Sequence, residues 1–298
     1  MTLFSASTSV RASASCGTLY VVATPIGNLQ DISQRALALL AQVDWIAAED
    51  TRHSKILLQN YALQRPLISL HEHNETERTE QLLNRLLRGE NGALISDAGT
   101  PLINDPGYVL VKRLRQAGVA VVPIPGPSAV ITALSAAGLP TDRFTYEGFL
   151  PARSSKRLQA LAKLADESRT LVFYESPHRL IESLQDMAEI FGSQRQLVVA
   201  KELTKQFEQF VSGDFAEVLA YFAAHSDRVR GEFVVMVSGA VLAEEAPSVS
   251  EWDDLIGVLL QQRLPVKQIS EIVAEFYQVK RKAVYSRVLA LKPESEGV

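Results

Sequence analysis

The sequence contains a single cysteine, Cys16, in 298 residues. One cysteine excludes an internal disulfide framework and any zinc site built from cysteines. The sequence also lacks an apolar run near the roughly 18 residues that indicate a membrane-spanning helix. We therefore expect a soluble, cytoplasmic protein.

An excess of positive charge is lacking as well, since the formal net charge is −4 at pH 7. Contact with nucleic acid would have to come from local clusters of Lys and Arg, because phosphate binding needs clustered cations rather than a favourable total. Two clusters are present, and each is either a solvated face or a phosphate contact. They consist of Arg153, Lys156, Arg157 and Lys163, and of Lys280, Arg281, Lys282, Arg287 and Lys292.

Two nucleotide-binding motifs are absent. The chain has neither the G-x-G-x-x-G of dinucleotide-binding folds nor the G-x-x-x-x-G-K-[ST] of nucleoside triphosphatases, which disfavours both classes. His71 and His73, with Glu72 or Glu75, could form a metal site, but a third clear ligand is lacking. A polar cleft wall is the preferred interpretation, and no metal is expected.

Residues 1–16 are rich in Ser and Ala and contain no acid, and they lack the apolar middle of a secretory signal. A disordered tail is expected there.

From residue 17 the pattern alternates between short strands and helices. Five strands are predicted at 18–23, 45–48, 66–70, 93–96 and 119–124, with helices at 32–41, 54–59, 77–88 and 108–116. A polar loop follows each strand, which is typical of a mostly parallel sheet. The Pro-rich stretch ending at Pro127 predicts a boundary, so the first α/β domain spans 17–126.

The second half predicts a mixed sheet in a second α/β domain, 127–243. Strands are expected at 143–149, 170–175, 196–201 and 232–238, with helices at 128–137, 156–164, 177–191 and 216–225. Residues 243–250 resemble a linker. The last segment, 251–298, predicts two helices at 269–276 and 283–291, joined by a short turn.

The stretch from Leu94 to Gly107 breaks an apolar run with two Asp, two Pro and two Gly. Pro101 and Pro106 remove backbone donors, and Gly99 and Gly107 permit positive φ. Loops at the carboxyl ends of parallel strands hold ligands in α/β proteins. We therefore predict a ligand loop here rather than an ordinary surface turn.

Three other predicted strands end in charged residues. A helix cap would explain Asp50, but five consecutive polar residues after that strand exceed what a cap needs. These strand ends supply the candidate acids, bases and electrostatic groups of a site: Glu49, Asp50 and Arg52; Glu175 and Arg179; and Lys201 and Glu202.

Six motifs occur in order: 19–32, 47–53, 96–107, 125–128, 173–179 and 200–205. Together they resemble the rRNA-modifying branch of the tetrapyrrole methylase superfamily. The resemblance implies an S-adenosylmethionine-dependent enzyme that methylates the 2′-oxygen of a cytidine ribose in the decoding region of 16S rRNA. It also implies two α/β domains with the cofactor in the cleft between them, a helix-turn-helix-like C-terminal appendage that contacts RNA, and a homodimer.

The resemblance also implies which residues line the cofactor. The turn from Asp97 to Pro101 would lie along its methionine and ribose portions, and Tyr174, Leu203 and the start of the last strand would line the adenine. The implied set is Pro25, Asp97, Ala98, Gly99, Thr100, Pro101, Ser128, Thr132, Ala133, Tyr174, Leu203, Gly231, Glu232 and Phe233.

A ribose hydroxyl is a poor nucleophile, so methyl transfer needs a base or an electrostatic stabiliser near its oxygen. Glu49, Asp50, Glu175 and Glu202 are the candidate bases, and the sequence does not rank them. Arg52, Arg179 and Lys201 would orient phosphate or stabilise developing charge.

Three other functions stay open: methylation of a tetrapyrrole, RNA binding without catalysis, and a nucleotide-dependent dehydrogenase. Whether naked rRNA or the assembled small subunit is the substrate is open too.

Overall fold

A computed structural model describes residues 16–241 and 249–292. Most of the predicted tail and of the predicted linker lies outside the described residues. The chain divides into two compact units, on either side of the bond between Ala240 and Val241.

The first sheet has five strands, all parallel, in the order β3-β2-β4-β1-β5. Its strands are β1 Thr18–Val22, β2 Trp45–Ala48, β3 Leu67–Ser69, β4 Gly92–Ile95 and β5 Ala120–Ile124. Both β2 and β4 are buried along their whole length, as expected for strands covered by helices on both faces. The predicted mostly parallel sheet is confirmed.

Four helices accompany this sheet: α1 Gln34–Leu40, α2 Thr51–Asn60, α3 Glu75–Leu87 and α4 Tyr108–Gln116. Glu75, the first residue of α3, is buried and accepts hydrogen bonds from the backbone amides of Gly107, Val109 and Leu110, at 3.0, 2.8 and 3.2 Å. A carboxylate at that point satisfies the unpaired amides at the start of α4. This contact fixes the end of the predicted ligand loop.

The second sheet is mixed, as predicted, with the order β6-β7-β10-β8-β9. β6 and β7 are parallel, and the other pairs are antiparallel. Its strands are β6 Phe144–Phe149, β7 Thr170–Glu175, β8 Gln196–Lys201, β9 Gln209–Asp214 and β10 Phe233–Val237. The edge strand β9 was not predicted, because Val211 is its one buried residue and its apolar alternation is therefore weak.

Helices α5 Ala129–Ala137, α6 Ser154–Ala162, α7 Leu180–Phe191 and α8 Phe215–Ala224 complete this half. Ile26, from the loop after β1, packs into a core cluster with Val130 of α5 and Val172, Val198 and Val234 of the second sheet. The first sheet precedes residue 126 and the second follows it. Division into separate domains there stays a prediction, because both sheets belong to one compact unit.

The C-terminal unit contains α9 Val249–Gln261, α10 Val266–Phe276 and α11 Arg281–Leu291. They pack around Trp252, Ile256, Ile269, Val273, Val284 and Val288. Two of these helices were predicted. The linker prediction is wrong at its end, because α9 begins at Val249.

None of the helices in the described ranges combines the length and the apolar character needed to cross a bilayer.

Candidate functional site

A cavity of about 370 Å³ lies in the first compact unit, where loops of the first sheet face the second sheet. The loop after β4 forms one wall, and the ends of β6, β7 and β10 form the other. The lining residues are Ile26, Asp97, Ala98, Gly99, Thr100, Ile103, Asn104, Asp105, Ser128, Ala129, Phe149, Tyr174, Glu175, Ser176, Pro177, Leu203, Gly231, Glu232, Phe233 and Val234.

The loop after β4 is tied to the rest of the unit by backbone contacts. The amide of Thr24 donates to the carbonyl of Gly99 at 2.8 Å, and the amide of Gly99 donates to the carbonyl of Thr24 at 3.1 Å. Gly99 has a φ of +82°, which favours glycine. The hydroxyl of Thr100 donates to the carbonyl of Pro127 at 2.9 Å. The loop therefore links β1, β4 and the segment between the two sheets.

Two non-glycine residues of this loop adopt left-handed backbone angles, Leu102 with φ +72° and Asn104 with φ +66°. Such angles are uncommon outside glycine and cluster at functional sites. The side-chain oxygen of Asn104 accepts a hydrogen bond from the hydroxyl of Tyr146 on β6, at 3.0 Å. The next residue, Asp105, lines the cavity, so contacts from both halves of the unit position its carboxyl.

One side of the cavity is acidic. Burial, together with the nearby charges of Glu49 and Asp97, raises the pKa of Asp105 to about 6, although a hydrogen bond from Ser96 acts in the other direction. Burial also raises the pKa of Glu49, with Asp97 as the next contributor. A cluster of carboxylates in a partly buried site favours a bound cation.

Another part of the lining is apolar and aromatic. The ring of Tyr174 makes edge contacts with Tyr146 and Phe149, at centroid distances of 5.1 and 5.5 Å. Burial raises the pKa of Tyr174, so its hydroxyl stays neutral. Such a wall suits a flat ring, whereas the acidic wall suits a charged group.

Lys205 secures the segment beside Leu203. Its ammonium lies 3.0 Å from Glu202 and 3.1 Å from Glu232, and the backbone amide of Glu202 donates to the carbonyl of Glu232. A Cβ on Gly231 would lie 2.0 Å from the Glu202 carboxylate. Close packing thus requires glycine at this edge of the cavity.

Ten of the fourteen residues expected at a cofactor line this cavity: Asp97, Ala98, Gly99, Thr100, Ser128, Tyr174, Leu203, Gly231, Glu232 and Phe233. The other four described residues, Pro25, Pro101, Thr132 and Ala133, lie outside its lining. Sequence reasoning missed Asp105, Phe149 and Asn104 among others. Asp105 stands in the motif that predicted the loop, but the sequence does not distinguish its carboxylate from the polar groups of an ordinary turn.

Glu175 lines the cavity, but its carboxylate is fully engaged. One oxygen accepts hydrogen bonds from the amide of Ser176 and from the guanidinium of Arg179, and the other accepts from the hydroxyl of Ser183 at 2.5 Å. Glu175 holds Arg179, which also donates to the carbonyl of Leu150, and the role of Glu175 as a base stays a prediction.

Three more candidate groups are occupied. Asp50 caps α2 and pairs with the exposed Arg52, whose hydrogen bonds lower the pKa of Asp50 to about 2, which makes it a weak base. The ammonium of Lys201 is held by the carbonyl of Arg228 at 2.5 Å. Burial raises the pKa of Glu202, but hydrogen bonds from Lys205 and the amide of Glu232 outweigh burial and leave it lowered.

The first basic cluster is divided by the fold. Arg153 and Lys156 are exposed at the start of α6, whereas Arg157 is buried and pairs with Asp186 at 2.6 Å. The expectation that Arg157 contacts RNA is therefore corrected, because protein surrounds its guanidinium.

The second cluster opens α11, where Lys280, Arg281 and Lys282 are exposed. Arg281 pairs with Glu271 at 2.8 Å, and Arg287 pairs with Asp253 at 2.5 Å. Lys280 and Lys282 have no ion-pair partner among the described residues. A helix N-terminus with unpaired cations is suited to bind phosphate.

Metal ligation finds no support in residues 16–241 and 249–292, where no cluster of three His, Cys, Asp or Glu is arranged to hold an ion.

Comparison with protein families gives two matches. The tetrapyrrole (corrin/porphyrin) methylases match residues 18–219, and the RsmI C-terminal HTH domain matches residues 246–292. A protein of Escherichia coli O157:H7 named ribosomal RNA small subunit methyltransferase I is 52% identical over 92% of this chain and 95% of its own length. A protein of the same name from Pseudomonas aeruginosa is 49% identical over 94% of this chain and 100% of its own.

Solved structures resemble the first compact unit. A cobalt precorrin-4 methyltransferase has a TM-score of 0.54 at 18% identity, covering 74% of this chain and 94% of its own. A uroporphyrin-III C-methyltransferase from Thermus thermophilus, in complex with S-adenosylhomocysteine, has a TM-score of 0.50 at 18% identity, with 74% and 97% coverage. At this identity the likeness shows a shared fold.

Proposed function

The chain belongs to the tetrapyrrole methylase family and, within it, to the ribosomal RNA small subunit methyltransferases I, and from this premise we propose that it methylates the 2′-oxygen of a cytidine ribose in the decoding region of 16S rRNA, with S-adenosylmethionine as the donor. The observation that carries the proposal is the cavity between the sheets, which is lined by carboxylates and by aromatic rings, in a chain that aligns over nine-tenths of its length with these rRNA enzymes.

The residues present suit S-adenosylmethionine. The cavity volume of about 370 Å³ falls within the usual range of about 300–1,000 Å³ for small-molecule sites. Asp97 would face the positively charged portion of the donor, and Tyr174 and Leu203 would face the adenine. The side-chain-free backbone of Gly99 permits close approach. When bound, the donor supplies a methyl group on a sulfonium.

The protein's contribution is to position the ribose and to accept its proton. Holding the 2′-oxygen in line with the methyl carbon supplies much of the rate enhancement. Of the carboxyls at the cavity, Asp105 best combines position with a pKa near neutrality, the property that a general base needs. We therefore place it first among the candidate bases, with Glu49 second. Homodimer formation remains part of the proposal.

Two measurements test this function. Calorimetry should detect S-adenosylmethionine binding to the purified protein. Incubation with small subunits, and separately with naked 16S rRNA, both from cells lacking the enzyme, should yield one cytidine with a 2′-O-methyl group in the decoding region. The two substrates resolve the open choice between them. Methylation of a base, or an absence of donor binding, would refute the proposal.

Lys280 and Lys282 are expected to bind rRNA phosphate. Changing both to Glu should weaken RNA binding about tenfold or more at moderate salt and reduce its salt dependence. The Kd for S-adenosylmethionine should stay unchanged. Arg263→Glu combined with Lys267→Glu, at two exposed residues of the same C-terminal unit, provides the control for net charge. An equal effect of the control variant on RNA binding would show that overall charge, rather than this helix start, is responsible.

A further inference from the structure

Phe149 is an exposed aromatic residue at the cavity. Its side chain lines the cavity while 52% of its surface remains in water, so it lies at the mouth. Its chain neighbours, Gly148 and Leu150, are both buried. A large apolar ring left in water beside a ligand cavity is more informative than a scattered surface hydrophobe.

The local backbone holds this ring outward. The register of β6 against β7 shifts between Tyr146 and Gly148, and Gly148 has a φ of +66° with Asn104 packed against it. The edge contact with Tyr174 supports the ring from behind. A ring fixed in this way presents a preformed surface.

The surroundings of Phe149 match an unstacked nucleotide. Ile103, 41% exposed, lines the same cavity and extends the apolar mouth. Shortly after Phe149 in the chain, Arg153 and Lys156 expose unpaired cations at the start of α6, with no ion-pair partner in the described part of the chain. An aromatic ring beside cations is the combination by which proteins bind single-stranded RNA, with the ring stacking on a base and the cations contacting phosphate.

We propose that Phe149 is the platform on which the base of the target nucleotide stacks once it has left the RNA helix. This inference rests on the proposed function. Stacking at the mouth would place the attached ribose at the cavity, which Asp105 also lines. Since every base has an aromatic face, the platform captures a nucleotide without selecting cytosine.

The test uses steady-state kinetics with small subunits and calorimetry with S-adenosylmethionine. Phe149→Ala should raise KM for the RNA substrate about tenfold or more, with the Kd for the donor unchanged. Phe149→Trp should restore KM to near the wild-type value, and Phe149→Leu should restore it only in part. Phe144→Ala is the matched control, because Phe144 lies on the same strand with 37% exposure and outside the cavity lining.

Three outcomes would overturn the platform. A parallel loss of donor affinity in Phe149→Ala would place the ring in the donor's pocket. Full restoration of KM by Phe149→Leu would show that apolar contact, rather than an aromatic ring, is what matters. An equal rise of KM in Phe144→Ala would indicate a general effect on β6. Failure of the proposed function has a different signature, because wild-type protein would then transfer no methyl group to RNA.

Discussion

Asp186→Ala is expected to lower the free energy of unfolding by about 3–5 kcal/mol, because it leaves the buried cation of Arg157 without its partner. The side chain of Arg157 is 1% exposed, and its Nε lies 2.6 Å from a carboxylate oxygen of Asp186. The hydroxyl of Ser154 donates to the other oxygen at 3.1 Å. The second partner of Arg157, Glu182, is 3.6 Å away and 70% exposed, so water screens its charge and it cannot replace Asp186.

Urea unfolding monitored by circular dichroism measures this loss. Glu80→Ala is the control, since it breaks the Glu80–Arg113 pair, which has a 2.7 Å contact but partners that are 56% and 40% exposed. Exposed pairs contribute about 0–1 kcal/mol. Combining Arg157→Met with Asp186→Leu should recover most of the stability, because it removes both charges and keeps the volume. Equal losses in Asp186→Ala and Glu80→Ala would contradict the importance of burial.

Much of the fold was predictable because apolar runs and helical periodicity coincide with the elements. Strands at 45–48, 170–175 and 196–201 and the helix at 108–116 were placed at their observed bounds. The misses have physical causes. The edge strand β9 buries little apolar surface, and α9 begins with polar residues that read as linker. β9 is stabilised by pairing with β8, and α9 by packing against α10 and α11, and the residues of each segment alone do not reveal these contacts.

The site could be predicted from the sequence where the backbone conformation requires glycine or proline. Gly99 and the prolines around it identified the loop. The hydrogen bonds and ion pairs of individual side chains could not be predicted in the same way. Sequence could not show that Arg157 faces inward from α6, or that Glu175 is held by Arg179 and Ser183. Both residues are of types that are common in functional sites, but in this protein their side chains stabilise the fold.

Asp105→Asn is expected to lower kcat about 100-fold or more, because it removes the proposed proton acceptor while keeping the shape of the side chain. In the wild type, kcat should fall as the pH drops through about 6, where the raised pKa of Asp105 lies. The variant should lose this acidic limb. Glu49→Gln is the matched variant, since removing the charge of Glu49 should lower the pKa of Asp105 and move the limb to lower pH. If Asp105→Asn leaves the Kd for the donor unchanged, its effect lies on proton transfer rather than on donor binding. If kcat and donor affinity fall equally, Asp105 instead binds the donor.

The same substitution should stabilise the protein at neutral and alkaline pH. The pKa of Asp105 is higher in the folded protein, at about 6, than its ordinary value of 3.8, so the folded state binds more protons between these values. Stability from this group is therefore fully present below about pH 4 and is lost as the pH rises through about 6. Asparagine stays neutral throughout, so Asp105→Asn should raise the unfolding midpoint at pH 8 and leave it nearly unchanged at pH 4. A variant that is more stable and far less active is expected if the Asp105 carboxylate serves catalysis and destabilises the fold. If Asp105 had only a structural role, its replacement would lower the stability of the protein.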